Sequence, residues 1–421
     1  MYDHSFNYVT FTKELRKSDF NKYKRLRDPI YKNGVILNSV VSVAGDFSVY
    51  SPLAYTVIRG KNVYRTAKFH DELILRKVNR NIRVVSGLKS NVRDSIVANV
   101  KNLLSEGVSY RIYRLDVKSF YESFSKDDIF NKIILRHDVS PATKKIIGGL
   151  IEGHDRAGWP GVPRGLALSA TITELLMKDF DKEIESENEV FFYSRYVDDI
   201  IIITSGLEDE KGFVDVIREK LPKGLSLNQK KQMIRSLSAD VSPRKALLSP
   251  SLFSFEYLGY KFSIFEPFNN PDLKKGQHFR EVLLDIADSK VKKIKTRISK
   301  ALLDYVKNKD FSLLILRFKF LTSNFSVLDV DRDRKRLAGI YYNYHRVDVD
   351  FSRALLDLDS YLRKAVLSSS GKLFEEFFCN TTLAQRRILL KFSFLRGYKR
   401  KVFMHFSREN MKLIQGCWAY A

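Results

Sequence analysis

Cysteine is scarce in this sequence, with only Cys379 and Cys417 among 421 residues. Two thiols cannot form a disulfide framework or a cysteine-rich zinc cluster, and such usage is typical of a reducing compartment. The sequence also lacks an uninterrupted apolar run of about 20 residues, the length that a membrane-spanning helix needs. Its first residues lack the apolar core of a secretory signal. These absences predict a cytoplasmic protein without a membrane partner.

Negative charge is also in short supply, because 49 Asp and Glu stand against 73 Lys and Arg and leave a net charge of +24. Apolar residues make up 44% and charged residues 29%, a globular balance that excludes a disordered chain. A large positive surplus attracts polyanions by releasing their counterions. The charge therefore favours a nucleic acid partner. An anionic membrane surface is the main alternative.

No internal repeat or low-complexity linker separates the parts of the sequence, so we expect them to pack together. Two β-rich runs flank Gly60-Lys61-Asn62 and predict a hairpin. The following elements are then predicted in order: a helix over 71–104, a strand over 110–117, a helix over 166–184, a hairpin over 190–204, a helix over 212–220 and short strands over 225–228 and 255–262. This order resembles a ferredoxin-like split βαβ unit. The sequence after Lys274 is strongly basic and is predicted to be largely helical.

An acidic pair, Asp198-Asp199, lies between two very apolar runs. Such a pair usually marks only a turn, because aspartate side chains bond the local backbone. The apolar flanks, however, predict a hairpin that is buried in a sheet. Two carboxylates held at its tip would repel each other unless a cation lay beside them.

Asp116 ends the predicted strand YRIYRLDV. An aspartate at a strand end is usually a helix cap or a surface group. If its strand neighbours the acidic hairpin, Asp116 faces the same sheet edge as Asp198. Phosphoryl transfer by two divalent ions needs carboxylates arranged in this way. Oxygen ligands suit Mg²⁺, and Mn²⁺ is an alternative, so two such ions are the predicted cofactors.

Five motifs resemble those of reverse transcriptases, and they occur in the family's order over roughly residues 55–265. They are LDVKSFYESF (motif A), GVPRGLALS (motif B), RYVDDIIII (motif C), SLNQKKQ (motif D) and FEYLGYKF (motif E). Each motif alone is weak, whereas the ordered set is specific. The resemblance implies an α+β right-hand polymerase with a ferredoxin-like palm, fingers, and a helical basic thumb and C-terminal region.

The resemblance also implies a division into subdomains. The implied parts are fingers over 1–109, palm over 110–125, fingers over 126–158, palm over 159–268, helical thumb over 269–345 and a helical C-terminal extension over 346–421.

The metal site follows from the resemblance one residue at a time. Asp116 and Asp198 would hold both metal ions, and Asp199 would support them electrostatically or as a secondary ligand. The backbone carbonyl of Val117 would complete a coordination shell. Tyr121 occupies the position of the family's steric gate, where a ring excludes a ribose 2′-hydroxyl; a core tyrosine is the alternative.

Other positions are implied to contact the nucleotide. In motif B, Arg164 replaces the glutamine that many relatives carry, and it could contact phosphate or base, or be solvated. Gly165 would let backbone approach the nucleotide. Lys231 would protonate the departing pyrophosphate, although Lys230 is adjacent and could take that place.

Basic residues of the implied fingers complete the set. Lys61 and Arg65 resemble the residues that clamp the incoming triphosphate. Template phosphates would be contacted by Arg76, Lys77 and Arg80. The primer grip of motif E would be Leu258 and Gly259.

The predicted activity is RNA-directed DNA polymerase, a nucleotidyltransferase. An RNA-dependent RNA polymerase and a nucleic-acid-binding scaffold with an unused site are alternatives. The sequence resembles defence-associated reverse transcriptases, in particular the first of a two-enzyme system with a noncoding RNA. Antiviral defence is therefore the predicted role, with a mobile-element or retron enzyme as alternatives. Predicted partners are an RNA template, the DNA product, deoxynucleoside triphosphates, a noncoding RNA and a second reverse transcriptase subunit or higher-order assembly.

Overall fold

A computed structural model describes residues 2–45, 47, 53–58, 60–88, 92–241, 250–269, 278–329 and 334–418. The chain forms two compact units, one of residues 1–93 and 109–238, and the other of residues 94–108 and 239–421. The fold is mixed α and β, as the sequence predicts. In the parts of the chain that are described, no helix combines the length and apolarity needed to cross a bilayer.

The first unit begins with helices and a hairpin. Its helices are α1 (Tyr8–Thr12), α2 (Lys17–Lys22), α3 (Pro29–Ala44), α4 (Phe69–Ser86), α6 (Lys126–Ile129), α7 (Pro141–Arg156), α8 (Ala167–Glu185) and α9 (Glu210–Lys220). The predicted hairpin is present as β1 (Leu53–Ile58) and β2 (Lys61–Thr66), paired antiparallel. The predicted helix over 71–104 is instead two helices, because Gly87 ends α4 in the left-handed conformation at φ 60°. The second helix, α5 (Arg93–Leu104), lies mainly in the other unit.

A four-stranded antiparallel sheet forms the centre of the first unit. Its strands are β3 (Tyr110–Asp116), β4 (Val190–Tyr196), β5 (Asp199–Thr204) and β6 (Met233–Leu237). They lie side by side in the order β4-β5-β3-β6. With α8 and α9 between them, the chain order is β-α-β-β-α-β, which is the predicted ferredoxin-like order.

The last strand of that sheet corrects the sequence prediction. The strand that pairs with β3 is Met233–Leu237, whereas 225–228 makes only an isolated bridge between Leu227 and Val117. Residues Gln229–Lys231 form a single 3₁₀ turn, in which the Lys231 N–H donates to the Asn228 carbonyl at 3.0 Å. Asparagine favours such turns, and this one interrupts the pairing with β3, which resumes at Met233 in the same antiparallel direction.

The sheet is held by an apolar core. The side chains of Ile200, Ile201, Ile202 and Ile203 in β5 are all buried. One side of the core contains Ile172 and Leu176 of α8 and Ile217 of α9, among others. Each fully buried aliphatic side chain of this kind contributes about 1.5–3 kcal/mol. A rigid, dry sheet therefore carries the ends of β3 and β5.

The second unit contains more strand than the predicted helical region allowed. A three-stranded sheet consists of β7 (Phe253–Tyr257), β8 (Tyr260–Asn269) and β9 (His278–Ile286), and a hairpin of β10 (Asn324–Asp329) and β11 (Arg334–Gly339). The predicted strand 255–262 is thus a hairpin with its turn at Leu258-Gly259. In β9 every second side chain from Arg280 to Ile286 is buried, a period of two that favours a strand over a helix.

The remainder of the second unit is helical, as expected. Its further helices are α10 (Asp288–Asn308), α11 (Phe311–Thr322), α12 (Arg353–Leu367), α13 (Lys372–Cys379), α14 (Leu383–Leu389), α15 (Phe394–Lys399) and α16 (Arg408–Gly416). The region 269–345, predicted as a helical thumb, contains the strands β9, β10 and β11 as well as the helices α10 and α11, and the described residues of 346–421 contain the helices α12 to α16. The subdomain boundaries themselves stay predictions, and the two compact units divide the chain at other residues.

Candidate active site

Strand pairing brings the three predicted aspartates to one edge of the sheet. Asp116 ends β3 and lies opposite Asp199, the first residue of β5. Asp198 occupies the turn between β4 and β5. The N–H of Val117 donates to the carbonyl of Asp198 at 3.0 Å, so β3 continues along the turn. The edge that the sequence predicts for these residues is thus present.

The turn between β4 and β5 is strained and is held by a buried arginine. Val197 has φ 62°, a conformation that is unfavourable for a β-branched residue. Arg195 donates from Nη1 to the Val197 carbonyl at 3.0 Å. Its guanidinium also bonds Asp181 at 2.7 Å and Glu174 at 2.9 Å, both on α8. Sequence reasoning missed Arg195, although a lone arginine in the apolar run VFFYSRY was a visible signal.

Electrostatics set the aspartates at this edge apart from surface carboxylates. Burial raises the pKa of Asp198 above its usual value, and the nearby Asp116 raises it further. Burial also raises the pKa of Asp199, and the adjacent Asp198 adds to the effect. A nearby cation would relieve this repulsion.

Both carboxylate oxygens of Asp116 accept hydrogen bonds from residues of motif D. Lys231 Nζ donates to Oδ1 at 2.7 Å, and Asn228 Nδ2 donates to Oδ2 at 3.0 Å. The Asn228 N–H also donates to the Asp116 carbonyl at 2.7 Å. Of the two adjacent lysines, Lys231 is therefore the one that contacts the site, and Lys230 is exposed. Sequence reasoning missed Asn228 as a partner of Asp116.

The residue types at this edge are suited to binding a divalent cation. Carboxylate oxygens are hard donors, and the raised pKa values of Asp198 and Asp199 reflect negative charge buried without enough compensation. Within the described residues, no three acidic, histidine or cysteine side chains stand arranged to hold a metal ion.

Tyr121 and Arg164 lie together beside this edge. The Arg164 guanidinium carbon is 4.9 Å from the centre of the Tyr121 ring, a cation–π contact. Arg164 also makes a two-pronged ion pair with Glu122, at 3.0 and 3.1 Å. The hydrogen bonds with Glu122 raise the pKa of Arg164, and the charge of Asp198 adds a smaller contribution. Arg164 is thus paired rather than solvated.

The sequence comparison agrees with this geometry. Residues 67–262 match the family model described as "Reverse transcriptase (RNA-dependent DNA polymerase)". This part of the chain is therefore similar to a reverse transcriptase domain, and the match includes all three aspartates and Lys231. No curated protein sequence shows a significant match to the chain.

Three solved telomerase structures are similar to this chain. The apo telomerase of Candida tropicalis, truncated from its C-terminal domain, shows 13% identity, a TM-score of 0.34 and coverage of 51% of this chain and 53% of its own. The telomerase of Candida tropicalis in complex with a TWJ fragment of telomeric RNA shows 12% identity, a TM-score of 0.35 and coverage of 88% of this chain and 64% of its own. The corresponding Candida albicans complex shows 11% identity, a TM-score of 0.32 and coverage of 87% of this chain and 61% of its own. The chain thus spans less than two thirds of each telomerase chain.

The segment that resembles motif B packs against the β1–β2 hairpin. Gly165 has φ 105°, and a Cβ there would lie 2.7 Å from Val63 and 2.9 Å from the Tyr64 carbonyl. The Tyr64 N–H donates to the Arg164 carbonyl at 2.7 Å. The glycine therefore permits a close approach of β2, a reason that differs from the predicted approach of a nucleotide.

The predicted basic residues of the fingers separate into exposed and buried sets. Lys61 and Arg65 are exposed on β2, just before the part that matches the reverse transcriptase family. Lys61 Nζ is 3.3 Å from Ser119 Oγ and 3.8 Å from Glu122 Oε2. Arg80 is exposed and donates to Glu14 at 3.3 Å.

Arg76 and Lys77 are corrections to the predicted template contacts. Arg76 is 8% exposed and is bonded to Asp19 at 2.7 and 2.9 Å. Lys77 is 2% exposed and donates to the Asp3 carbonyl at 2.6 Å. The N-terminal segment covers both side chains, so neither is available to a template strand in this conformation.

The predicted primer grip forms a tight turn in the second unit. Leu258 and Gly259 connect β7 and β8 and both have positive φ, 45° and 82°. Two such residues define a type I′ hairpin turn, which explains the glycine. The Gly259 carbonyl accepts a hydrogen bond from the Ala287 N–H at 3.2 Å. The contact of this turn with a primer stays a prediction.

Proposed function

We propose that this protein is an RNA-templated DNA polymerase that adds deoxynucleotides by two-metal nucleotidyl transfer. The observation that carries the proposal is the pairing of Asp116 with Asp199 across β3 and β5, with Asp198 in the adjoining turn. The match of residues 67–262 to the reverse transcriptase family supports the assignment of an RNA template and a DNA product.

In this proposal Asp116 and Asp198 bind the metal ions, and Asp199 and the carbonyl of Val117 support them. Bound Mg²⁺ ions, or Mn²⁺, would activate the primer 3′-hydroxyl and neutralise the triphosphate and its leaving pyrophosphate. Asp116 would hold a metal ion through the carboxylate oxygens that accept hydrogen bonds from Lys231 and Asn228. Lys231 would lie next to the reacting phosphates.

Lys231 is assigned the role of general acid. The hydrogen bond to Asp116 raises its pKa, so the ammonium is protonated at neutral pH. A protonated group beside the metal-binding carboxylates can donate a proton to the departing pyrophosphate.

Tyr121 is assigned the role of sugar gate. Its ring makes a T-shaped contact with Phe120, with ring centres 5.5 Å apart, and a cation–π contact with Arg164. These two contacts restrict the movement of the ring, so we propose that it excludes a 2′-hydroxyl and selects deoxynucleotides. Lys61 and Arg65 of the fingers hairpin, with Arg164, contact the triphosphate in this proposal.

The subdomains are proposed as the family resemblance implies them. Residues 1–109 and 126–158 are the fingers, 110–125 and 159–268 the palm, 269–345 the thumb and 346–421 a C-terminal extension. In this division Leu258 and Gly259 grip the primer, and exposed Arg80 contacts the template.

Replacement of Asp198 by Asn tests the proposed activity. The variant keeps the size of the side chain and removes its charge, and incorporation on a primed RNA template with Mg²⁺ should fall below detection. Asp215→Asn, at an exposed position of α9, is the matched control and should retain full activity. If the Asp198 variant incorporated nucleotide normally, the chain would be a nucleic-acid-binding scaffold whose palm is unused.

We propose antiviral defence in the cytoplasm as the biological role, which rests on the sequence resemblance alone. The proposed partners are a noncoding RNA and a second reverse transcriptase subunit. Sequencing the RNA that copurifies with the full chain tests this role, because one discrete RNA is expected. A mobile-element or retron enzyme is the alternative, and a random population of cellular RNA would count against the defence role.

A further inference from the structure

Glu122 lies at the centre of a group of cations beside the proposed sugar gate. Its two carboxylate oxygens accept hydrogen bonds from Arg164 Nε and Nη2 at 3.0 and 3.1 Å. Lys61 Nζ lies 3.8 Å from Oε2 of the same carboxylate. One side chain thus engages two of the cations that are assigned to the incoming triphosphate.

The same ion pair fixes the gate itself. Arg164 stacks on Tyr121 while Glu122 holds both ends of its guanidinium, a geometry that orients the plane as well as the charge. The backbone tightens the arrangement, because the Val162 N–H donates to the Tyr121 carbonyl at 2.8 Å. A Cβ on Gly161 would lie 2.3 Å from that carbonyl, so only glycine fits there.

Glu122 carries a negative charge, and another anion can take its place in the ion pair with Arg164. Burial raises the pKa of Glu122, but the hydrogen bonds from Arg164, a backbone hydrogen bond and the charges of Arg164 and Lys61 together outweigh burial and hold the pKa below its ordinary value. The side chains of Glu122 and Arg164 are 27% and 30% exposed, so solvent and solutes can reach the pair. Ion pairs of this exposure contribute little net stability, and a more highly charged anion can replace the carboxylate.

We propose that Glu122 is a positioning residue that holds Lys61 and Arg164 in place until the triphosphate of an incoming nucleotide displaces it. The inference rests on the proposed polymerase function. Because Glu122 competes with phosphate for the same two cations, it lowers the affinity for every nucleotide. The affinity is lowered most for nucleotides with few phosphates, which carry too little charge to displace Glu122. Glu122 thereby favours triphosphates over the diphosphates and monophosphates present beside them.

The variant Glu122→Gln tests the competition, because it keeps the shape and removes the charge. We expect the KM for deoxynucleoside triphosphate to fall about fivefold while kcat stays within about twofold. The inhibition constant of deoxynucleoside diphosphate should fall by a larger factor than the KM for deoxynucleoside triphosphate. Glu152→Gln, at an exposed position of α7, makes the same change in net charge and should leave KM unaltered. A KM equal to that of an active wild-type enzyme would overturn the inference.

A double-mutant cycle with Arg164→Gln separates this role from a merely structural one. In the Arg164→Gln background, Glu122→Gln should change KM less than it does alone, because one of the two competing contacts is already gone. Equal changes in both backgrounds would contradict the inference, and melting temperatures show that each variant folds. If wild type and Glu152→Gln both failed to incorporate nucleotide, the proposed polymerase function itself would fail, which is a distinct outcome.

Discussion

Lys231 Nζ donates a 2.7 Å hydrogen bond to Oδ1 of Asp116, so motif D and motif A meet directly at the sheet edge. The contact connects two roles that the sequence suggests separately, metal binding by Asp116 and proton donation by Lys231. It also joins the segment of motif D to the end of β3. In the proposed mechanism, ligation of a cation by Asp116 would compete with this contact.

Replacement of Lys231 by Ala should lower kcat about 10- to 100-fold and leave the KM for nucleotide nearly unchanged, because proton donation acts in the transition state. Single-nucleotide incorporation on a primed RNA template is the measurement. Lys230→Ala is the matched control, since the adjacent lysine is exposed. Equal losses in the two variants would show that neither lysine is the general acid.

Replacement of Tyr121 by Ala should admit ribonucleotides. Truncation removes the ring that Arg164 and Phe120 hold in place, so the ratio of kcat/KM for deoxynucleotide over ribonucleotide should fall about 100-fold, equivalent to about 2.7 kcal/mol. Tyr121→Phe keeps the ring and should keep the discrimination. A Tyr121→Ala variant with unchanged discrimination would identify Tyr121 as a core residue instead.

The sequence predicts those parts of the fold that depend on local pattern. The β-α-β-β-α-β order and the acidic turn after Tyr196 follow from apolar runs and turn residues that are neighbours in the chain. The partner of Asp116 could not be found in this way, because Asn228 is 112 positions away and reaches it only through strand pairing.

Burial and ion pairing could not be predicted from the sequence. Arg76 and Lys77 are basic, as residues that contact a template would be, but the N-terminal segment covers them through Asp19 and Asp3, which charge alone cannot reveal. The ion pair of Arg164 with Glu122, on a separate segment, was also not predicted. Charge pairs between distant segments are therefore the class of feature that the sequence left open.

Replacement of Arg195 by Met should destabilise the fold and the turn that carries Asp198. The side chain is 1% exposed, and its loss would leave Glu174 and Asp181 without a buried counterion. We expect the free energy of unfolding in urea to fall by about 3 kcal/mol. Arg218→Met, on the exposed face of α9, should change it by less than about 0.5 kcal/mol. A stability loss no greater than that of the control would exclude Arg195 as the anchor of the turn.

Replacement of Asp198 by Asn should raise the stability of the metal-free protein at neutral pH. Burial lifts the pKa of Asp198 in the folded state above the ordinary value of 3.8, so the folded protein holds this proton more tightly than the unfolded chain. The contribution of Asp198 to stability is therefore most favourable below pH 3.8 and is lost as the pH rises through the folded pKa. The variant lacks this loss, because asparagine does not titrate.

Thermal unfolding of both proteins with a chelator, from pH 4 upward, is the measurement. The melting temperature of the variant should exceed that of wild type at pH 7, and the gap should narrow toward the acid end. Mg²⁺ should then raise the melting temperature of wild type and act less on the variant, because the cation compensates the charge that asparagine lacks. An equal response of both proteins to Mg²⁺ would place its binding elsewhere than at Asp198.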